Sequence, residues 1–223
     1  ELFLERIPVD KNIQKNINRR KKMLLADMDS TILQIETLDV IGHAIGKARE
    51  IAEITEKAMN GDIDFEAALK NRVKLLAGVN INQLIEFVLE KLLITQGANT
   101  LVKTMKANGA TTALVSGGFT VITEIIREKL NFDLCYGNTL SIDSSIVTGN
   151  LKPPIIDGDA KAAILDQECE KLEISKNDTL AVGDGANDIP MLTNAGLGVA
   201  FRPKPVVKNY ASNIIEHCDL RGI

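Results

Sequence analysis

An α/β fold, with a parallel sheet covered on both faces and interrupted by an all-helical insertion, is predicted by three features of this sequence. A short apolar run at residues 23–26 sits between basic residues and the polar string DMDST, as a buried strand does. From Glu36 to about Ile94 apolar residues recur only at helical spacing. Beyond that stretch, strand and helix patterns alternate, and alternation of this kind builds parallel sheets.

Taken in order, the first strand is MLLA at 23–26. The insertion follows, with apolar stripes Leu38, Ile41, Ile45, then Phe65, Leu69, Val73, Leu76, then Ile81, Leu84, Val88, Leu92. Next come a helix near 97–108, a strand at 111–115, a helix at 119–130 and a strand near 132–136. Between Asn138 and Leu151 two alternating runs around Asp143-Ser144-Ser145 predict a hairpin projecting from the layer. A helix at 160–172, a strand at 179–182, a short helix from Asp188 and a strand at 197–200 complete the pattern. The expected division is therefore an unassigned segment 1–21, a catalytic core of 22–35 with 95–223, and a helical cap of 36–94.

Composition narrows the class. With 223 residues the chain should bury roughly 70% of its unfolded surface. It is 45% hydrophobic and 25% charged, which excludes collagen-like, disordered and coiled-coil proteins. A net charge of −4 argues against a nucleic-acid partner, and no apolar run reaches the ~18 residues of a membrane span. Lys11, Lys15, Arg19, Arg20, Lys21 and Lys22 make a basic stretch, read as a solvated connection. Glu1 in place of an initiator Met predicts missing upstream residues, and no secretory leader pattern is visible. Cys135, Cys169 and Cys218 are odd in number and far apart, which predicts reduced, mostly buried thiols in a cytoplasmic protein and no zinc or disulfide. The sequon at Asn177 is then a chance match.

Polar residues gather where strands end. Asp27 and Asp29 follow the first strand, Ser116-Gly117-Gly118 the second, and Gly183-Asp184-Gly185 a later one. Parallel sheets bind ligands outside the carboxyl ends of their strands, so three strand ends offer carboxylates, a hydroxyl and flexible glycines to one crevice.

Several signatures fail on inspection. GHAIGKA at 42–48 has three residues between its glycines where a phosphate loop needs four, and Ala48 stands where a hydroxyl belongs. GDGAND at 183–188 ends in Asp188 instead of the glycine of a dinucleotide fingerprint, and Asp184 would repel a pyrophosphate. His43 and His217 are too few for a histidine-based hydrolase and read as structural residues.

What remains is acid-rich. DMDST (27–31), Ser116 in VSGGF, Lys161 in DGDAK and GDGANDIPML (183–192), in that order, resemble the four motifs of the haloacid dehalogenase superfamily of aspartyl-phosphate phosphatases. Glu36, the MNGDIDFEAALKNRVKLL stretch and AGLGVAF bring the likeness closest to its members acting on O-phospho-L-serine, from about Lys22 onward. The resemblance implies a Rossmann-like core with an inserted helical-bundle cap, and hydrolysis of phosphoserine to serine and phosphate, the last step of serine biosynthesis. The partner it implies is that small molecule; pairing into a homodimer stays open.

Asp27 suits a nucleophile, since an aspartate can carry a phosphoryl group and split one displacement into two. Asp29 suits a general acid and base. Asp27, Asp29, Asp184 and Asp188 with a dianionic phosphate face one Lys161, a crowding worth ~4 kcal/mol per unit pair at ~4 Å, so a divalent cation is needed. Oxygen ligands beside phosphate point to Mg²⁺, held by Asp27, Asp184 and the Asp29 carbonyl. By resemblance Asp188 supports from outside, while Lys161, Ser116 and the Gly117 amide meet the phosphoryl oxygens. By resemblance too, Arg72 takes the substrate carboxylate, Glu36 its ammonium, Met59 and Phe65 give apolar cover, and Asn187 lies near the phosphate. Departures from the pattern are the extra acids Asp157 and Asp159, and VIT after SGGF. Two alternatives stay open: a phosphotransferase to an alcohol such as homoserine, and a non-catalytic magnesium- or phosphate-binding module.

Overall fold

The computed structural model describes residues 9–12, 17–59 and 61–223. Seven strands form one sheet in the order β4 (Ile146–Lys152), β3 (Leu134–Asp143), β2 (Thr111–Phe119), β1 (Met23–Asp27), β5 (Thr179–Gly183), β6 (Leu197–Phe201), β7 (Asn213–Ile215). At its centre β1 (Met23–Asp27) pairs in parallel with β2 (Thr111–Phe119) on one side and β5 (Thr179–Gly183) on the other. Flanked on both edges and covered on both faces, Met23–Ala26 must be apolar throughout, and all four are fully buried. Alternate residues still point to opposite sides. Leu24 and Ala26 join the core beneath α5 (Ala98–Ala107) and α6 (Thr120–Leu130), while Met23 and Leu25 join the one beneath α7 (Gly158–Lys171) and α8 (Ile189–Asn194). Strands β6 (Leu197–Phe201) and β7 (Asn213–Ile215) extend the sheet in parallel beyond β5. From β1 the chain steps outward through three strands on one flank and then crosses back to β5 on the other, so the strand order switches sides at β1 and a crevice opens above its carboxyl end.

Between β1 and α5 the insertion supplies four α-helices: α1 (Thr37–Ala44), α2 (Ala48–Met59), α3 (Phe65–Lys74) and α4 (Ile81–Glu90). Local chemistry sets two of their starts. The Asp64 side chain accepts from the Ala67 amide at 2.7 Å, and that of Asn80 from the Asn82 amide at 2.9 Å. Leu69, Val73, Leu76, Ile81, Leu84 and Val88 are buried and continuous with the core around Leu24. The neck of this insertion is closed by backbone pairing: Gln34 N donates to Leu93 O at 2.8 Å, and Thr95 N to Ile32 O at 2.9 Å.

The hairpin predicted between Asn138 and Leu151 is present, and it begins where β3 runs out of its parallel pairing at Asn138. Strand β3 (Leu134–Asp143) runs unbroken from the parallel sheet, and β4 (Ile146–Lys152) pairs with it antiparallel as the sheet's edge. Ser144 and Ser145, at φ 49° and 70°, form the two-residue turn whose twist matches the strands. The insertion leans on this hairpin, with Val147 N donating to Val79 O and Ile81 N to Ser145 O, both at 2.9 Å. The thiols differ from expectation, because Cys169 is buried but Cys135 is half-buried and Cys218 exposed. Among the described residues no helix is long and apolar enough to cross a membrane. Lys15 lies outside the described residues; the rest of the basic stretch is largely exposed, with Lys22 paired to Asp178 at 2.9 Å.

Candidate active site

The carboxyl ends of β1, β2 and β5 and the first turn of α7 meet at one point. Asp27 ends β1 and is 5% exposed. Lys161, fully buried, places Nζ 2.5 Å from Asp27 Oδ1 and 2.7 Å from Asp188 Oδ1. The Asp157 side chain starts α7 by accepting from the Ala160 amide at 2.8 Å, so this extra acid of DGDAK is a helix cap. Asp188 Oδ2 accepts from the amides of Asp184 at 3.1 Å and Gly185 at 2.9 Å. That closeness requires glycine before it. A Cβ on Gly183 would stand 2.5 Å from Asp188 Cγ.

After β1 the chain turns sharply at Ser30, with φ 56°, and Asp29 just before the turn lies between the start of α1 and β2. There Asp29 Oδ1 accepts from the Thr37 amide at 2.9 Å and Oδ2 from Ser116 Oγ at 3.3 Å. Ser116 Oγ in turn accepts from the Gly118 amide at 2.8 Å. The irregular end of β2 that bears Gly117 is fixed by buried Asn138, whose Nδ2 donates to Gly117 O at 2.9 Å. Phe65, opening α3, sits above it: a Cβ on Gly117 would be 3.1 Å from Phe65 Cζ.

The electrostatics follow from burial and from acid excess. Desolvation, then the charge of Glu36, pushes Asp29 up to about 6. Desolvation pushes Asp184 up to about 6 as well, with Lys204 opposing and Asp188 adding to the rise. Asp27 rises well above the usual carboxylate range, through burial first and Asp188 second, with Lys161 offsetting part. Burial by itself would lower Lys161, but the carboxylates of Asp188 and Asp27 more than reverse it. Burial raises the three acids first, and a shortage of positive charge around them adds to the rise.

That shortage bears on metal binding. Among the described residues, Asp27, Asp184 and Asp188 each offer a carboxylate oxygen, all within 4.8 Å of one another. Three hard oxygen donors in a buried, acid-rich pocket fit a divalent cation. Asp188 is the least available of the three, since its two oxygens already serve Lys161 and two amides. Asp184 Oδ1 accepts from Thr31 Oγ1 at 3.2 Å.

The insertion contributes the remaining residues. Glu36 Oε1 accepts from Ser30 Oγ at 2.7 Å and from Lys204 Nζ at 3.3 Å. Arg72, half-buried, reaches only neutral oxygens, Ala68 O at 3.3 Å and Thr55 Oγ1 at 3.5 Å. Among the described residues no carboxylate lies within ion-pair distance of it. Burial lowers its pKa, with Asp39 and Glu36 opposing. Met59 is 77% exposed at the end of α2, lining a cavity of about 360 Å³ with Asp39, His43, Thr55 and Glu56. Asn187 is half-buried in the turn between Gly185 and Asp188, against Gly158. Thr31, Asn138 and Lys204 were given no role by the sequence. Thr31 stood inside DMDST, where its hydroxyl was the available signal; Asn138 and Lys204 carry no local pattern at all.

This constellation has relatives. The family model for haloacid dehalogenase-like hydrolases matches residues 24–193. The chain is 39% identical over 221 residues to a phosphoserine phosphatase of Archaeoglobus fulgidus, covering 98% of this chain but 64% of that protein, just under two thirds of its length. It is 39% identical over 207 residues to a phosphoserine phosphatase of Methanocaldococcus jannaschii, covering 93% of this chain and 98% of that one. A solved phosphoserine phosphatase in complex with substrate superposes with a TM-score of 0.85 at 38% identity, over 92% of this chain and 97% of its own. Sheet order, strand-end carboxylates and this match agree, and the chain belongs to the haloacid dehalogenase-like hydrolases.

Proposed function

We propose that the chain is a magnesium-dependent phosphatase that releases L-serine and phosphate from O-phospho-L-serine. The observation that carries the reading is the pair Asp27 and Asp29 on one turn, the first held by Lys161 and the second by Ser116 and the Thr37 amide. The names of the relatives at 39% identity support the substrate.

Asp27 uses a carboxylate oxygen to attack phosphorus, and the bond to the serine oxygen breaks as Asp29 supplies the proton that oxygen needs. Water then attacks phosphorus, Asp29 accepts its proton, and the acyl phosphate bond on Asp27 breaks to release phosphate. Lys161 keeps a positive charge against Asp27 throughout, and the Ser116 hydroxyl, turned from Asp29, donates with the Gly117 amide to the phosphoryl oxygens. Magnesium would be held by Asp27, Asp184 and the Asp29 carbonyl, with Asp188 supporting from outside, and supplies positive charge to the transferring phosphoryl group. Arg72, a half-buried cation facing neutral oxygens, suits a substrate carboxylate, to which its planar fork is complementary. Glu36 receives the ammonium. Phe65 over Gly117 brings the helical cap onto the phosphate loop, where closure excludes water from the first displacement.

The test is phosphate release from a panel of phosphomonoesters with and without magnesium. Phosphoserine should be the preferred ester and should require the metal. Equal turnover of esters lacking the amino and carboxyl groups would refute the substrate assignment.

A further inference from the structure

Lys204 lies 20 residues beyond Asp184 and far from every motif, yet it reaches into the site. Its backbone amide donates to Asp184 O at 2.9 Å. Pro203 and Pro205 flank it, and Pro205 opens a short 3-10 turn, so the backbone on either side is restrained. From this rigid mount Nζ stands 3.3 Å from Glu36 Oε1 and 3.6 Å from Asp184 Oδ2. One ammonium therefore separates two carboxylates assigned to two different ligands.

We propose that Lys204 is a positioning residue for recognition of the substrate's amino group, which rests on the reading of Glu36 given above. Lys204 and Ser30 both bond Oε1 of Glu36, which fixes the carboxylate from one side and leaves Oε2 to accept from the incoming ammonium. Ser30 Oγ holds the distance but carries no charge. Lys204 adds the charge that offsets Asp184, so that Glu36 is not driven from its place by repulsion. The pair is half exposed, with side chains 51% and 43% accessible, so the effect is modest in size and specific in kind.

The experiment compares wild type, Lys204→Gln, Lys204→Arg, Glu36→Gln and the Glu36→Gln/Lys204→Gln pair on O-phospho-L-serine and p-nitrophenyl phosphate, each across a magnesium titration. Lys204→Gln should raise KM for phosphoserine about fivefold with kcat little changed, while kcat/KM for the aryl ester changes less than about twofold. Lys204→Arg should restore most of the loss. The double variant should be no worse than Glu36→Gln alone, because both changes remove one interaction. Equal losses on both esters, additive losses in the double variant, or a shifted magnesium half-saturation that accounts for the change would overturn the role of Lys204 in an enzyme still acting on phosphoserine. A wild-type protein that hydrolyses the aryl ester but not phosphoserine would overturn the substrate assignment and this inference together.

Discussion

Lys161 and Asp27 are 134 residues apart in sequence, and their charged atoms lie 2.5 Å apart in a pocket from which Lys161 is wholly shielded from solvent. The lysine is shared with Asp188 at 2.7 Å, so one cation balances two buried carboxylates and a third, Asp184, stands beside them. Burial and charge are coupled at this point, since the buried cluster holds more acid than its one lysine neutralises.

Lys161→Met should expose that coupling. Removing one partner from a buried ionic cluster costs about 3–5 kcal/mol, so the urea midpoint should fall sharply. Magnesium should recover part of the loss by binding the folded acid cluster in preference to the unfolded chain. A midpoint unchanged without metal would show that the lysine does not balance these acids.

Asp27→Asn preserves shape while removing the attacking oxygen's charge. Phosphate release from phosphoserine should drop by at least about 10³-fold, with circular dichroism and melting temperature close to wild type. Residual turnover within tenfold of wild type would assign the nucleophile elsewhere. Chelation of the metal should abolish turnover in the parent protein to a similar extent.

Arg72→Ala separates binding of the carboxylate from folding. A lost two-pronged, charge-assisted contact should lower kcat/KM for phosphoserine about 50-fold, and much less for an aryl phosphate. Equal reductions would mean that Arg72 serves the packing of α3 through Ala68 and Thr55.

Gly117→Ala tests the meeting of cap and core. The added methyl would lie 3.1 Å from Phe65 Cζ, closer than ordinary contact, and should hold the cap open by a steric cost of about 1 kcal/mol. KM should rise about fivefold, and pairing with Phe65→Leu should relieve it. An unrelieved defect would point instead to the phosphate loop itself.

Asp10 offers a pH-dependent stability test far from the site. Its carboxylate accepts from the amides of Glu216 at 2.9 Å, His217 at 3.0 Å and Cys218 at 2.7 Å. Burial opposes ionisation, but these three amide bonds outweigh it and leave the pKa below 3.8. The stabilisation is therefore complete above the unfolded value and is lost as pH falls through the lower folded one. Asp10→Asn should cost about 1 kcal/mol at pH 7, with the gap to wild type closing toward the acid limit. A gap independent of pH would show that hydrogen bonding without charge accounts for it.

By itself the sequence determined everything that local pattern encodes. MLLA had to be a strand enclosed on both sides, because four consecutive buried side chains leave no face for water. The stripes of the insertion had to be helices, because their spacing is 3.6 and not 2. DMDST, SGG and GDGAND announced a ligand-binding crevice, since each follows a strand and ends in groups that make poor core. Tertiary structure alone decided what depends on partners distant in the chain. The hairpin after Asn138 was legible as two strands, but its contact with the insertion, Val147 against Val79 and Ser145 against Ile81, is something no local spacing records. Asp157 read as an extra acid in the Lys161 motif and proved to be the cap of α7. Lys204 read as nothing, because a lone lysine between prolines has no period and no motif; only the fold, by pinning its amide to Asp184, brings its charge to Glu36. Periodicity is a property of neighbours in the chain, whereas charge balance in a pocket is a property of neighbours in space.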